Sequence, residues 1–230
     1  MSDRPRVLLV GATGLIGMHV IRSLEGRQKW DLIALSRRES SLPKGVRMEM
    51  RIAQTGQWPQ LIDRIMPDSV ICALGTTWAK AGKDEAAFRA VDQGLVLAVA
   101  DAARKTQARQ FVLISSVDAD AAAKSFYLRV KGEVEQALHG KGFARLDIIR
   151  PGLLRGERGA ERRLMERLGI ALSPLTDMVL HGDARRYRSI SGDMVARAAL
   201  QLTMEKAAGR FVHQHDDIIR HARQLAQKEC

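Results

Sequence analysis

Alternation of strand-like and helix-like segments predicts an α/β protein built on a doubly wound parallel sheet. Three observations carry the prediction. Short runs such as Val7–Val10 and Phe111–Ile114 are apolar throughout, as strands buried on both faces are. Between such runs lie stretches with apolar residues at helical spacing, so strand and helix alternate along the chain. A glycine-rich turn joins the first strand to the first helix.

The elements follow in order. Val7–Val10 is the first strand. Leu15–Leu24 places Leu15, Ile16, Met18, Val20, Ile21 and Leu24 on a helical stripe. Leu32–Leu35 is the second strand, and Val46–Ile52 alternates apolar and polar residues as a strand near a sheet edge does. Leu61–Ile65 predicts a short helix that Pro67 and Asp68 end. Ser69–Leu74 is a further buried strand, and an Ala-rich helix runs roughly from Asp84 to Lys105. Phe111–Ile114 is the fifth strand, Ser125–Leu138 a helix and Leu146–Ile149 the sixth strand. Beyond Pro151 the pattern weakens, with one helix expected at Ala160–Leu168. Asp193–Glu205 predicts a helix with Ser191 as its N-cap. Phe211–His213 suits a last strand and Asp216–Gln227 a terminal helix.

At 230 residues the chain fits one domain over 1–230, with 152–190 and 206–230 as an elaboration over the sheet's carboxyl edge. Hydrophobic residues make up 46% and charged ones 27%, which excludes a disordered chain. No apolar run reaches the roughly 18 residues of a membrane span, so no membrane partner is expected. Cys72 and Cys230 are too few for a disulfide framework or a zinc site of sulfur ligands. An apolar strand starts directly after Met1–Pro5, which predicts no signal peptide and a cytoplasmic protein. Lys and Arg number 37 against 26 Asp and Glu, a net charge of +11. That excess admits nucleic acid, an anionic membrane or an anionic small ligand. Only 4% of residues are aromatic, and none is interleaved with the arginines, which speaks against a nucleic-acid stacking platform.

Gly11-Ala12-Thr13-Gly14-Leu15-Ile16-Gly17 carries the first chemical signal. Glycines three apart allow a tight turn and close approach to a pyrophosphate, and the helix start adds free N–H groups and a positive dipole end. GxxGxxG directly after a first strand is a variant of the dinucleotide fingerprint, so the sheet is of the Rossmann type. About 20 positions on, where a carboxylate would favour a free ribose hydroxyl, stand Ser36, Arg37 and Arg38. A hydroxyl and two guanidiniums suit a phosphate dianion, so NADP(H) is expected in preference to NAD(H).

Tyr127 and Lys131 supply the second signal. Four residues apart on a predicted helix, they share one face. A neighbouring ammonium favours phenolate, which suits a tyrosine that exchanges a proton with a carbonyl or alcohol. Ser115 and Ser116 end the fifth strand, at the sheet edge where such a fold presents its site, and a hydroxyl there would orient a substrate oxygen.

With GATGLIG, ICALGTT, FVLISS, YLRVK and IIRPGLL in this order and spacing, the chain resembles the short-chain dehydrogenase/reductase superfamily. It is most similar to the atypical branch that includes the Tat-interacting protein and its bacterial relatives, over roughly residues 5–205. Lys80-Ala81-Gly82, Phe88 and Val91-Asp92 belong to that likeness. The resemblance implies that Gly11, Thr13, Gly14, Leu15, Ile16 and Gly17 contact the pyrophosphate. It further implies that Ser36, Arg37 and Arg38 read the adenosine ribose phosphate, and that Leu74, Gly75 and Thr76 pass along the cofactor ribose. Tyr127 becomes the catalytic acid/base, Lys131 binds the nicotinamide ribose, and Ser116 is the catalytic serine with Ser115 behind it. Pro151, Gly152, Leu153 and Leu154 line the nicotinamide. Asp92 departs from the pattern, standing about where main-branch reductases often carry an Asn; Arg51-Ile52-Ala53 departs too, where many relatives carry an Asp near the adenine.

The implied activity is an NADP-dependent oxidoreductase acting on a small-molecule carbonyl or alcohol. A second reading is an NADPH-binding regulator acting through a protein partner, since some members of this branch are known for regulation. His213-Gln214-His215 with Asp216 and Asp217 lacks clear further ligands, and no metal is expected. Arg155, Arg158, Arg162, Arg163 and Arg167, then Arg185, Arg186 and Arg188, read as a solvated basic face.

Overall fold

A computed structural model of the chain describes residues 4–155 and 181–227. Seven strands form one sheet: β1 (Arg6–Val10), β2 (Asp31–Ser36), β3 (Glu49–Ile52), β4 (Ser69–Cys72), β5 (Gln110–Ile114), β6 (Arg145–Ile149) and β9 (Gly209–His213). Their order is β3-β2-β1-β4-β5-β6-β9, and every pairing is parallel. Two-residue strands β7 (Leu154–Arg155) and β8 (Ile190–Ser191) form a separate parallel ribbon.

Strand period sorts the core into two layers. Val7 and Leu9 pack with α1 (Leu15–Arg22), α6 (Gly192–Leu202) and α7 (His215–Gln227). Leu8 and Val10, pointing the other way, pack with α2 (Trp58–Ile65), α4 (Val96–Lys105) and α5 (Phe126–His139). Val7, Leu8, Leu9 and Val10 of β1 are fully buried, which explains their unbroken apolarity, and Arg6 at the strand's start is exposed. At the opposite extreme, β3 pairs only with β2, and its alternating pattern is that of the edge strand it proves to be.

Two segments differ from the sequence expectation. The long Ala-rich helix is three pieces: α3 (Glu85–Arg89), a π-helical turn (Ala90–Leu95) and α4. Asp84 starts α3 by accepting the Ala87 N–H at 2.6 Å. The second difference is at the C-terminus, where β9 extends the main sheet beside β6 and α7 covers it, so 206–227 is part of the sheet layers rather than a cover over the carboxyl edge. Ser191 does cap α6, accepting the Met194 N–H at 3.2 Å, and the helix starts at Gly192 directly after it. The helix expected at Ala160–Leu168 lies outside the described residues, as do Arg158, Arg162, Arg163, Arg167 and Cys230. Among the described residues no helix is long and apolar enough to cross a membrane.

Candidate functional site

From β1 the chain first winds outward to β2 and then returns to β4 on the other side. That reversal opens a crevice at the carboxyl ends of the strands. A cleft of about 900 Å³ occupies it.

The glycine loop forms its floor, with Gly11, Thr13, Gly14, Leu15 and Ile16 all lining the space. Gly11 has φ +85°, and a Cβ there would stand 2.3 Å from the Ala73 carbonyl oxygen, so no side chain is admissible. Gly17 lies just behind, where a Cβ would come 2.2 Å from the Gly11 carbonyl oxygen. Its bare backbone lets α1 begin against the loop. Gly14 is the N-cap and offers no side-chain cap, which leaves first-turn N–H groups and the dipole's positive end to an anion.

Ser36 and Arg37 reach the cleft, whereas Arg38 does not. The Ser36 hydroxyl donates to the Arg38 carbonyl at 2.7 Å and accepts the Arg38 N–H at 3.2 Å. It closes the turn after β2, so Arg37 is the arginine this turn presents. On α1, His19 and Arg22 also line the space, a contribution that the sequence reading missed; they stand one helical turn apart on the helix face turned to the cleft. Burial holds the His19 imidazole below its ordinary value, against the pull of Asp193 and with Arg22 adding to the fall.

Leu74, Gly75 and Thr76 line the opposite wall, continued by Thr77, Trp78 and Lys80. Behind this loop Asp92, on the π turn, is buried. One carboxylate oxygen accepts the Thr76 N–H at 2.7 Å, and the other lies 2.8 Å from the Lys131 ammonium. Burial pulls the Lys131 pKa down, but the negative charge of Asp92 and the phenol oxygen of Tyr127 outweigh it. The ammonium is held above its ordinary value and stays charged at neutral pH. Cys72, beneath it in β4, is fully buried, and burial pushes its thiol up to about 12; it is a protonated core side chain rather than a nucleophile.

Tyr127 and Lys131 both line the cleft. Tyr127 is 40% exposed, set edge-on to Phe88 at 5.9 Å between centroids, with the Lys131 ammonium 5.9 Å from its ring centroid. Ser115 lines the cleft as well, and its hydroxyl donates to Glu135 at 2.5 Å. Glu135 is in turn gripped by Arg150. Ser116, one residue further on, is half-buried and does not line the cleft. Of Pro151, Gly152, Leu153 and Leu154, Leu154 lines it; Pro151 is buried and accepts the Val117 N–H at 3.0 Å, while Gly152 and Leu153 do not line it.

A model of the NAD dependent epimerase/dehydratase family matches residues 7–127, from β1 to the cleft tyrosine. The chain belongs to that family. It is 30% identical over 202 residues to "Protein FMP52-1, mitochondrial" of Scheffersomyces stipitis, covering 86% of this chain and 87% of the relative. To "Protein fmp52, mitochondrial" of Emericella nidulans it is 37% identical over 163 residues, covering 68% and 70%. Among solved structures, MoeE5 in complex with UDP-glucose and NAD is similar with a TM-score of 0.67 at 16% identity, over 96% of this chain and 82% of that one. UDP-glucose 4-epimerase from Brucella ovis in complex with NAD gives 0.67 at 17%, over 94% and 81%. These structures share the Rossmann-type fold. The relatives' names correct one expectation: proteins this similar are called mitochondrial, which overturns the cytoplasmic assignment. A strand close to Met1 was too little to found that assignment on.

Away from the cleft, the His213 ring bonds Asp147 at 2.8 Å and the His215 ring bonds Asp216 at 2.9 Å. The two histidines serve different carboxylates. Arg185 and Arg188 line a second, smaller cleft of about 520 Å³ with Arg220 and Arg223 of α7. Arg186 instead donates to the Tyr187 hydroxyl at 2.9 Å.

Proposed function

We propose that this protein is an NADP-dependent oxidoreductase of the short-chain dehydrogenase type, acting on a carbonyl or alcohol. The observation that carries the reading is the convergence of a side-chain-free glycine loop, Arg37, Tyr127 and Lys131 on one cleft at the sheet's switch point. The cleft fits a nicotinamide dinucleotide. Gly11 and Gly17 form a cradle that any Cβ would fill, α1 offers uncapped N–H groups to a pyrophosphate, and Arg37 suits a ribose phosphate. Leu74, Gly75, Thr76, Lys131 and Leu154 would hold the remainder. Ser36 would meet the ligand beside Arg37, while Pro151, Gly152, Leu153 and Arg38 would support these walls rather than touch it. When bound, the nicotinamide supplies or accepts the hydride.

Tyr127 donates a proton to the substrate oxygen in reduction or removes it in oxidation. Its exposure leaves the hydroxyl open to a ligand. Lys131, charged and buried, would bond ribose hydroxyls of the bound cofactor beside the tyrosine. A serine hydroxyl orients the substrate oxygen. Ser116 holds that role by resemblance, and Ser115 lies against the cleft with its hydroxyl committed to Glu135. Leu153 to Ile190 and the segment between them would set substrate choice. The ALGTT, YLRVKGEVE and RPGLL stretches support membership in the branch similar to the Tat-interacting protein.

The test is a panel of aldehydes, ketones and nucleotide sugars with NADPH, using the parent and Tyr127→Phe. Turnover in the parent that Tyr127→Phe abolishes is expected; activity that survives the change refutes the mechanism. The Asp92–Lys131 ion pair favours one second reading, a catalytically weak NADPH-binding regulator with a protein partner. It predicts tight NADPH binding with no oxidation across the panel.

A further inference from the structure

We propose that the part of the cleft between Trp78 and Tyr127 takes a planar, conjugated carbonyl compound of the aromatic ketone class, its ring against Trp78 and its carbonyl oxygen at Tyr127. The inference rests on the reading of Tyr127 as the proton-exchanging group, and it narrows the substrate class. Both side chains line the cleft. Each packs on Phe88, with ring centroids 6.3 Å and 5.9 Å from it. Phe126 completes the cluster, edge-on to Trp78 at 5.4 Å and to Phe88 at 5.6 Å. Edge and tilted contacts are the favourable arrangements of aromatic rings, so they fix the indole in place. Its backbone is fixed as well: the Trp78 carbonyl accepts the Lys83 N–H at 3.0 Å, and the Thr77 carbonyl accepts the Ala81 N–H at 2.9 Å.

Trp78 differs from the other two tryptophans. Trp30 and Trp58 are buried, and their indole N–H groups donate to the Thr203 hydroxyl and the Ala53 carbonyl. Trp78 is 42% exposed, and its indole N–H has no partner among the described residues. A flat apolar ligand covers an aromatic surface left open in this way beside a cleft. Val91, Leu95 and Leu154 add further apolar lining. The polar groups, by contrast, suit a polyol poorly. Among the described residues Asp92 is the only carboxylate that lines the cleft, and its oxygens are taken by the Thr76 N–H and the Lys131 ammonium. The Ser115 hydroxyl donates to Glu135, and the Thr77 hydroxyl accepts the Lys80 N–H at 3.2 Å. A sugar ring would bury its hydroxyls here with few acceptors, which is costly; an aromatic ketone has only its carbonyl oxygen to satisfy.

The test is isothermal titration calorimetry of the full chain saturated with NADP⁺, with 2-acetonaphthone and UDP-glucose as the two probes. The oxidised dinucleotide cannot reduce the ketone, so binding alone is read. The parent is expected to bind 2-acetonaphthone saturably, and about tenfold or more tighter than UDP-glucose. Trp78→Ala should weaken the ketone by about tenfold, the loss of one stacking surface, whereas Trp78→Phe, which keeps a ring, should stay within about threefold of the parent. No saturable ketone binding by the parent, or UDP-glucose binding as tight as the ketone, overturns the proposal without recourse to any variant. So does parent-like ketone affinity in Trp78→Ala, or a loss in Trp78→Phe as large as that in Trp78→Ala. Each titration is repeated without NADP⁺, where the same ranking of parent and variants is expected. A parent that does not take up NADP⁺ refutes the cofactor reading, and the dinucleotide-free series then still decides the Trp78 contact.

Discussion

Two buried charge networks stand at different places along the sheet, and they differ in what lies beside them. At the β6–β9 edge, Asp147 is gripped by Arg145 at 2.7 and 2.8 Å, by His213 at 2.8 Å and by Gln110 at 2.7 Å. Arg145 also donates to the Ala207 carbonyl at 2.9 Å and stacks 4.2 Å above the Phe211 ring. Gln110, Arg145 and His213 come from three neighbouring strands, so the network pins β9 to the sheet. Around Asp92 the set is sparser, one ammonium and one N–H, and it borders a cleft of about 900 Å³. Burial and ion pairing are therefore common to both regions; only the pair beside open space has room to meet a ligand. The sealed network fastens β9 to the sheet, and the open one borders the cleft to which the proposed function assigns the ligand.

The largest expected effect falls on the open side. Tyr127→Phe should cut turnover by about 10²–10⁴-fold while moving unfolding free energy by no more than about 0.5 kcal/mol, as steady-state kinetics and urea denaturation would report. Asp147→Ala should do the reverse. Leaving Arg145 buried without its carboxylate costs about 3–5 kcal/mol, read as a lower urea midpoint, with NADPH affinity of the folded protein unchanged. A fall in turnover as large as that of Tyr127→Phe would erase the distinction between the two regions. Arg37→Ala is a smaller change on the open side. Losing a charge-assisted bond of about 1.5–3 kcal/mol should weaken NADPH binding by roughly tenfold or more and leave NADH binding unaltered.

The smallest effect is a pH dependence on the sealed side. Burial pushes the Asp147 carboxyl up, but the hydrogen bonds from His213, Arg145 and Gln110 more than offset it and hold the group below its ordinary value. A depressed carboxylate contributes stability above the unfolded value near 4, and that contribution is lost as pH falls through the lower folded value. Urea midpoints of the parent should drop across that acid window. In Asp147→Asn this part of the slope should vanish.

Much of this was readable in the residues themselves. Strands β1, β4, β5 and β6 announce themselves because both faces are buried, and the glycine loop because no other residue fits Gly11. Helical spacing alone put Tyr127 and Lys131 on one helix face, and both line the cleft. The π turn was not, since a helix period carries no mark of one extra residue in a turn; Gly94 inside the helix was the faint signal. Hence Asp92 read as a departure from a pattern rather than as the partner of Lys131. Arg37 and Arg38 were indistinguishable in sequence, because the Ser36 hydroxyl separates them only by closing a turn. His19 and Arg22 were hidden as ordinary polar positions on α1, and only the folded arrangement brings them to the cleft.

Side-by-side equilibrium titration of the parent protein with NADPH and NADH tests the central claim most directly. Saturable binding of both at one site, with NADPH the tighter, is the predicted result. Absence of saturable binding by either dinucleotide would contradict the assignment of the cleft, and equal affinities would contradict the role given to Arg37.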